Sequence, residues 1–288
     1  MKSNLIRSAA AIAAMVMSAG LGAQSQSALS EGFVDVPGAK IFYKDSGGHG
    51  VPVIFLHAYT GNADVWEHQI PVFIHAGYRF IAYERRGYGR TVADTNGPAS
   101  TGADDLLALI DHLNIGKFHL VGTAGGGFVA VDFAISYPQR LRSFTLLCST
   151  GGIQDPDYVE ATRRMRPDGF AKLPNSFLEL SPSYRFANPD GVARWSEFET
   201  KNRAPEAVRG PAQPYKNRVT LALIEGIKTP TLVIAGDADL YAPPALMRRI
   251  ADRIKGAQLV AVPEVGHSVW WEAPDKFNRA VLTFIARR

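Results

Sequence analysis

Along this chain, short apolar runs alternate with stretches whose apolar residues recur three and four positions apart. These are the patterns of buried strands and of helices packed by one face. Residues 33–36 and 40–44 flank Pro37-Gly38, a hairpin signal. Residues 51–56 form an apolar run ending in His57 and predict a central strand. Helical spacing follows over 63–75, through Val65, Trp66, Ile70, Phe73 and Ile74. A strand is predicted over 79–83. A helix is predicted over 101–113, where Leu106, Leu107, Leu109, Ile110 and Leu113 share one broad face. Residues 118–121 predict another strand, 128–137 its helix, and 141–148 the next strand.

The texture changes between 151 and 225. Prolines and glycines are frequent, and aromatics such as Tyr158, Phe170, Trp195 and Phe198 are scattered without a strand period. Short helices joined by loops fit this stretch. The alternation then resumes, with strands over 229–235 and 258–262 and helices over 244–254 and 274–287. Such alternation implies an α/β fold: a mostly parallel, doubly wound sheet covered on both faces, its opening hairpin forming an antiparallel edge. The interruption reads as a helical cap over 151–225, inserted after the sixth strand into a core made of residues 29–150 and 226–288. Ligands in open α/β sheets bind outside the carboxyl ends of the strands, so a cap there roofs the site.

Composition adds a leader and excludes some partners. Lys2 and Arg7 precede a small, apolar stretch over 8–21, shorter than the roughly 20 residues of a membrane span. Small residues follow through Ala28. This is the pattern of a cleaved signal peptide over 1–28, which places the mature chain in the periplasm or outside the cell and off the membrane. The net charge of +4 includes those two leader cations, and no basic run suggests nucleic acid. Cys148 is the sole cysteine, so no intrachain disulfide can form and stability rests on the core.

The residues able to do chemistry sit just past strands. Gly122-Thr123-Ala124-Gly125-Gly126 joins the strand 118–121 to its helix in the frame G-x-S-x-G, the sharp turn that raises a nucleophilic serine at a sheet's edge. Alanine occupies the serine position, and a methyl group cannot attack a carbonyl. The side chain of Thr123 is expected to point away from the pocket. His57-Ala58-Tyr59-Thr60-Gly61 follows the strand 51–56. Acyl transfer needs two N–H groups aimed at the developing oxyanion, here expected from Tyr59 and Gly125. His57 and Ala58, in the same loop, are expected to contact substrate.

In Gly236-Asp237-Ala238-Asp239, Asp239 is placed to orient an imidazolium, whereas Asp237 falls within the tight turn and is expected to cap it. In Gly266-His267-Ser268, His267 follows the last strand and suits general-base work near neutral pH. Elbow, acid and histidine come in the chain order of elbow-type hydrolases. His49, His68, His75, His112 and His119 lack such placement and show no metal-ligand spacing, so no metal or organic cofactor is implied. Cys148 has no neighbouring base and reads as a structural thiol. Trp195 in the cap and Trp270 after His267 are expected to wall the pocket, which the cap aromatics suggest is apolar.

Taken together, these motifs resemble the α/β-hydrolase superfamily over about residues 33–288, least specifically in the cap. The segment Tyr83-Glu84-Arg85-Arg86-Gly87-Tyr88-Gly89-Arg90-Thr91 belongs to the match. The chain looks like the capped esterase, lactonase and C–C hydrolase branch. Ala58 stands where the family usually has glycine, and Ala124 where it has its nucleophile. The resemblance implies a serine hydrolase cleaving an ester or lactone bond of a small, largely apolar substrate, with serine at position 124, His267 and Asp239 as the triad. Three readings of the alanine stay open. The natural protein carries serine and this chain is an inactive variant; or the chain is a natural non-catalytic binder of small molecules; or His267 and Asp239 do general-base chemistry without a covalent intermediate.

Overall fold

The parallel strands at the centre are apolar along their length because helices cover both of their faces. The computed structural model describes residues 29–288, so the leader expected over 1–28 lies outside the described residues. The nine strands are β1 (Ser30–Val36), β2 (Ala39–Asp45), β3 (Pro52–Leu56), β4 (Arg79–Tyr83), β5 (Val92–Ala93), β6 (Phe118–Thr123), β7 (Leu141–Leu147), β8 (Thr231–Gly236) and β9 (Gln258–Val262). They form one sheet in the order β1-β2-β4-β3-β6-β7-β8-β9, with β5 pairing β2. The β1–β2 hairpin and the β2–β4 and β2–β5 contacts are antiparallel, and every pair from β4 to β9 is parallel. The two-residue β5 carries too few positions to show a period, and with it the helical segment expected after the sixth strand follows the seventh.

The helices are α1 (Ile70–His75), α2 (Gly102–His112), α3 (Ala124–Ser136), α4 (Pro156–Arg164), α5 (Asn175–Glu179), α6 (Pro182–Ala187), α7 (Pro189–Lys201), α8 (Leu221–Glu225), α9 (Pro244–Ala251), α10 (Val269–Glu272) and α11 (Pro274–Ile285). Apolar faces of α2, α3 and α9 form one core with one side of the sheet, through Leu106, Phe133 and Met247. On the other side Phe73 of α1 and Phe277 of α11 pack with Phe55, Phe80 and Trp66. Thr101 caps α2 by accepting from Asp104 N at 3.1 Å, a contact of the kind worth about 1 kcal/mol.

Two helical expectations are corrected. The stretch 63–75 is not one helix. Residues Ala63–Trp66 make a 3-10 turn capped by the Asn62 side chain, and α1 restarts with Pro71 in its first turn. The helix expected from 128 begins at Ala124, because the three glycines after it are absorbed into the first turn.

The chain crosses from one side of β3 to the other between β4 and β6. The ends of β3 and β6 therefore flank a topological switch point, where α/β sheets bind ligands. Helices α4 to α8 all lie between β7 and β8. Of these, α7 buries Trp195 and Phe198. The Phe198 ring meets Trp271 edge-on at 5.6 Å, which fastens this segment beside the last loop of the sheet.

Candidate active site

Ala124 joins β6 to α3 with φ +48°, a left-handed conformation costing an L residue about 1–2 kcal/mol. Its neighbours make the turn possible. A Cβ on Gly126 would lie 2.4 Å from the Leu56 carbonyl oxygen and 2.6 Å from that of His57, and one on Gly122 would lie 2.6 Å from the Ala130 methyl. Only glycine lets the start of α3 approach the end of β3 this closely. Ser149 then fastens the turn, its hydroxyl donating to the Ala124 carbonyl at 2.7 Å. Nothing in its sequence context marks that serine.

Above the turn is a cavity of about 760 Å³ lined by Ala124, Gly125, Tyr59 and His267, among others. Asp239 accepts from His267 Nδ1 with both carboxylate oxygens, at 3.0 and 2.9 Å. The backbone N–H groups of Tyr241 and Ala242 also donate to Asp239, at 2.7 and 3.0 Å. Burial opposes charge on both members of this pair. For His267 the Asp239 charge and hydrogen bond outweigh burial and hold its pKa above the ordinary value. For Asp239 the histidine and the two N–H donors outweigh it and hold the carboxyl below. Asp237 takes no part; it accepts from Glu264 N at 2.5 Å and ties the turn after β8 to the loop after β9.

The loop after β3 is built by His57 and Arg85. His57 Nδ1 donates to the Ala58 carbonyl at 2.7 Å, and His57 Nε2 accepts from Arg85 N at 3.2 Å. Burial and the Arg85 charge push the His57 pKa well down, so the ring is neutral, as these two bonds require. Arg85 Nη2 also donates to the Ala58 carbonyl, at 3.3 Å. The Ala58–Tyr59 peptide is planar and trans, so fixing its carbonyl sends the Tyr59 N–H to the opposite side. Gly125 sits in the first turn of α3, whose N–H groups have no intrahelical acceptor.

Four residues expected to touch substrate do not line this cavity. His57 and Ala58 are buried beneath the loop, where their bonds shape the backbone rather than meet a ligand. Trp270 turns into the core because α10 carries it there, its ring 5.2 Å from Trp66. Trp195 is also buried, its indole N–H donating to Ser268 Oγ at 3.3 Å. Thr123 is buried, with no partner for its hydroxyl among the described residues, and does not line the cavity. Cys148 does line it, but burial pushes its thiol well up and leaves no thiolate at neutral pH.

The cavity joins apolar walls, from Tyr59, Phe128 and Tyr241, to polar and charged groups. Arg166, Glu179, Glu199, Asn175, Asn202 and Arg203 all line it. Glu179 is buried and accepts from Thr60 Oγ1 at 2.8 Å and Ser268 Oγ at 3.3 Å; burial raises its pKa. Asn202 Nδ2 donates to the Tyr59 carbonyl at 2.5 Å. These residues come from the irregular segment between β7 and β8, where no strand end marks a position facing the site.

A left-handed turn between strand and helix, with an acid–histidine pair supplied by two later strand ends, defines the layout of an elbow-type hydrolase. The chain belongs to the alpha/beta hydrolase family, which matches residues 53–280. The non-heme chloroperoxidase CPO-A1 of Kitasatospora aureofaciens is 30% identical over 277 residues, spanning 86% of this chain and 96% of that one. A 2-hydroxy-6-oxononadienedioate/2-hydroxy-6-oxononatrienedioate hydrolase of Burkholderia vietnamiensis is 28% identical over 270 residues, spanning 86% and 91%. Among solved structures, Est816, described as an N-acyl homoserine lactone degrading enzyme, superposes with a TM-score of 0.71 at 27% identity. That match covers 88% of this chain and all of the other.

Proposed function

We propose that the cavity above residue 124 is the reaction site of a hydrolase for an ester or lactone of a small, largely apolar molecule, and that Ala124 stands at its nucleophile position. The reading rests on one observation: His267, backed by both oxygens of Asp239, lines the same cavity as Ala124. With serine there, the hydroxyl attacks the acyl carbonyl while His267 takes its proton and passes it to the leaving oxygen. Tyr59 and Gly125 N–H groups receive the oxyanion, and Asp239 holds the ring. His267 next draws a proton from water as the water oxygen attacks the acyl carbonyl; the bond to the serine oxygen then breaks, and His267 returns the proton to that oxygen as the acid leaves. With alanine no acyl-enzyme forms, a loss of roughly a million-fold in kcat for this type of site, with binding retained. The leader over 1–28 supports export to the periplasm or beyond, and with it a substrate met outside the cytoplasm.

Ala124 itself favours a second reading, in which His267 acts directly as general base on water or on the substrate. One experiment separates the two. The Ala124→Ser chain is assayed on p-nitrophenyl acetate, with His267→Ala in the same background. Turnover that appears with serine and disappears with the second change supports the hydrolase. Turnover already present with alanine and dependent on His267 supports the general base. Absence of turnover in every form, with ligand still bound, leaves a binding protein and overturns both.

A further inference from the structure

Behind Tyr59 and Phe128 lies a second cavity, of about 270 Å³. Tyr59, Gly125, Phe128 and Arg203 line both cavities, so one wall separates them. Arg85, Arg86 and Arg209 also line the second cavity, which brings four guanidinium side chains around a small space.

The surrounding protein does not balance those charges. Arg86 is neutralised by Asp105, with Nε and Nη2 each donating at 2.8 Å. Among the described residues, no carboxylate lies within 4.0 Å of the side-chain nitrogens of Arg85, Arg203 or Arg209. The carboxylate in the lining, Asp132, is occupied by Lys216 N at 2.7 Å, Asn217 N at 3.1 Å and Asn217 Nδ2 at 2.8 Å. Arg85 is only 6% exposed, and its Nε is buried without an acceptor. Its guanidinium carbon lies 5.1 Å from the Tyr59 ring centre and 4.6 Å from that of Tyr88, and Arg203 lies 4.4 Å from the same Tyr88 centre. Arg85 Nη2 donates to the His57 and Ala58 carbonyls at 3.1 and 3.3 Å, and Arg209 donates to the Ala204 carbonyl with Nε and Nη2 at 3.3 and 3.1 Å. Aromatic faces and neutral carbonyls ease the burial of a guanidinium but supply no counter-charge. A buried cation without a counter-charge is costly.

We propose that this chamber binds a compact oxyanion, a carboxylate or a phosphate, held by Arg85 and Arg203 with Arg209 at the rim. Such a group matches the fork of guanidinium donors and supplies the charge the wall lacks. Because Arg203 borders both cavities, an acid group tethered to a substrate and a free anion meet the same donors. The site involves neither His267 nor residue 124 and does not depend on the proposed reaction.

The test is calorimetric titration of the full chain with inorganic phosphate at low salt. One saturable site is expected, weakened by added salt. Arg203→Gln with Arg209→Gln, both exposed positions, should weaken it about tenfold or more. Arg85→Lys keeps the charge but not the fork, and is read beside its circular dichroism to verify folding. Competition identifies the source. Displacement of phosphate by monomethyl glutarate, but not by methyl butyrate, assigns the site to a substrate's acid group. Phosphate binding undisturbed by either ester assigns it to a free anion. No saturable phosphate binding, or binding unchanged in the double variant, overturns the proposal. Failure of the proposed reaction shows instead in the Ala124→Ser assay and leaves this titration as it was.

Discussion

Asp239 holds His267 Nδ1 with both carboxylate oxygens, at 3.0 and 2.9 Å, and both side chains are buried. The histidine pKa is raised and the aspartate pKa lowered. The raised histidine contributes stability that is fully present below its unfolded value of about 6.5 and is lost as pH rises through the folded value. The lowered aspartate contributes stability that is present above about 3.9 and is lost as pH falls through its folded value. The pair therefore stabilises most between those limits, where both members are charged. Asp239→Asn should move the His267 midpoint down, read from its ring proton by NMR titration. A midpoint that stays in place would show that the carboxylate does not set the histidine's protonation.

The turn at residue 124 makes a prediction about stability. Ala124→Gly relieves a left-handed alanine, worth about 1–2 kcal/mol, against an unfolded-state cost of about 0.4–1 kcal/mol for the glycine. A net gain between about 0 and 1.6 kcal/mol is expected in urea unfolding. Gly126→Ala does the opposite: its Cβ would meet the Leu56 and His57 carbonyls at 2.4 and 2.6 Å, costing about 1–3 kcal/mol or preventing folding. Equal stability of these two variants would mean that the tight approach of α3 to β3 is not needed.

The contrast between these loops and the cap explains what could be read from residues alone. The placement of the elbow, Asp239 and His267 is legible because each follows a strand, and the carboxyl ends of the strands in an open α/β sheet are where ligands sit. The glycines at 122 and 126 carried their own geometric meaning. Glu179, Asn202 and Arg203 had no such marker, since they reach the site through the packing of an irregular segment against distant loops. Trp270 misled for a related reason: proximity to His267 in sequence says nothing of direction once a helical turn intervenes. His57 shapes the loop rather than the cavity surface, and its bonds to Ala58 and Arg85 depend on the strand beside it, which the residues of its own loop do not reveal.

Glu179 predicts a pH-dependent weakness in the cap. Burial raises its pKa, with the bonds from Thr60 and Ser268 only partly opposing it. The folded chain therefore holds this proton longer than the unfolded one, and stability falls as pH rises from about 4.3 through the folded value. Glu179→Gln keeps an acceptor for Thr60 and removes the titration. Its stability relative to the parent should increase across that interval and level off above it, measured as paired melting temperatures at fixed salt. A difference that does not change with pH would mean that the carboxylate is relieved in some other way.

The peptide between Ala58 and Tyr59 carries the last prediction. His57 and Arg85 both donate to its carbonyl, while Asn202 donates to the next carbonyl, that of Tyr59. The first contacts orient the Tyr59 N–H; the second ties that loop to the helical segment above it. In an active Ala124→Ser background, His57→Ala should reduce kcat with little change in KM. An oxyanion donor is worth about a hundred- to a thousandfold, and misaiming one forfeits part of that, roughly ten- to a hundredfold. Asn202→Ala should instead raise KM, because it loosens the cavity wall that Asn202 lines and ties to Tyr59. Steady-state kinetics of the two variants, with melting temperatures alongside, separate these effects. A fall in kcat/KM shared in the same proportion by both would mean that the loop responds as one unit and that His57 has no separate hold on the Tyr59 N–H.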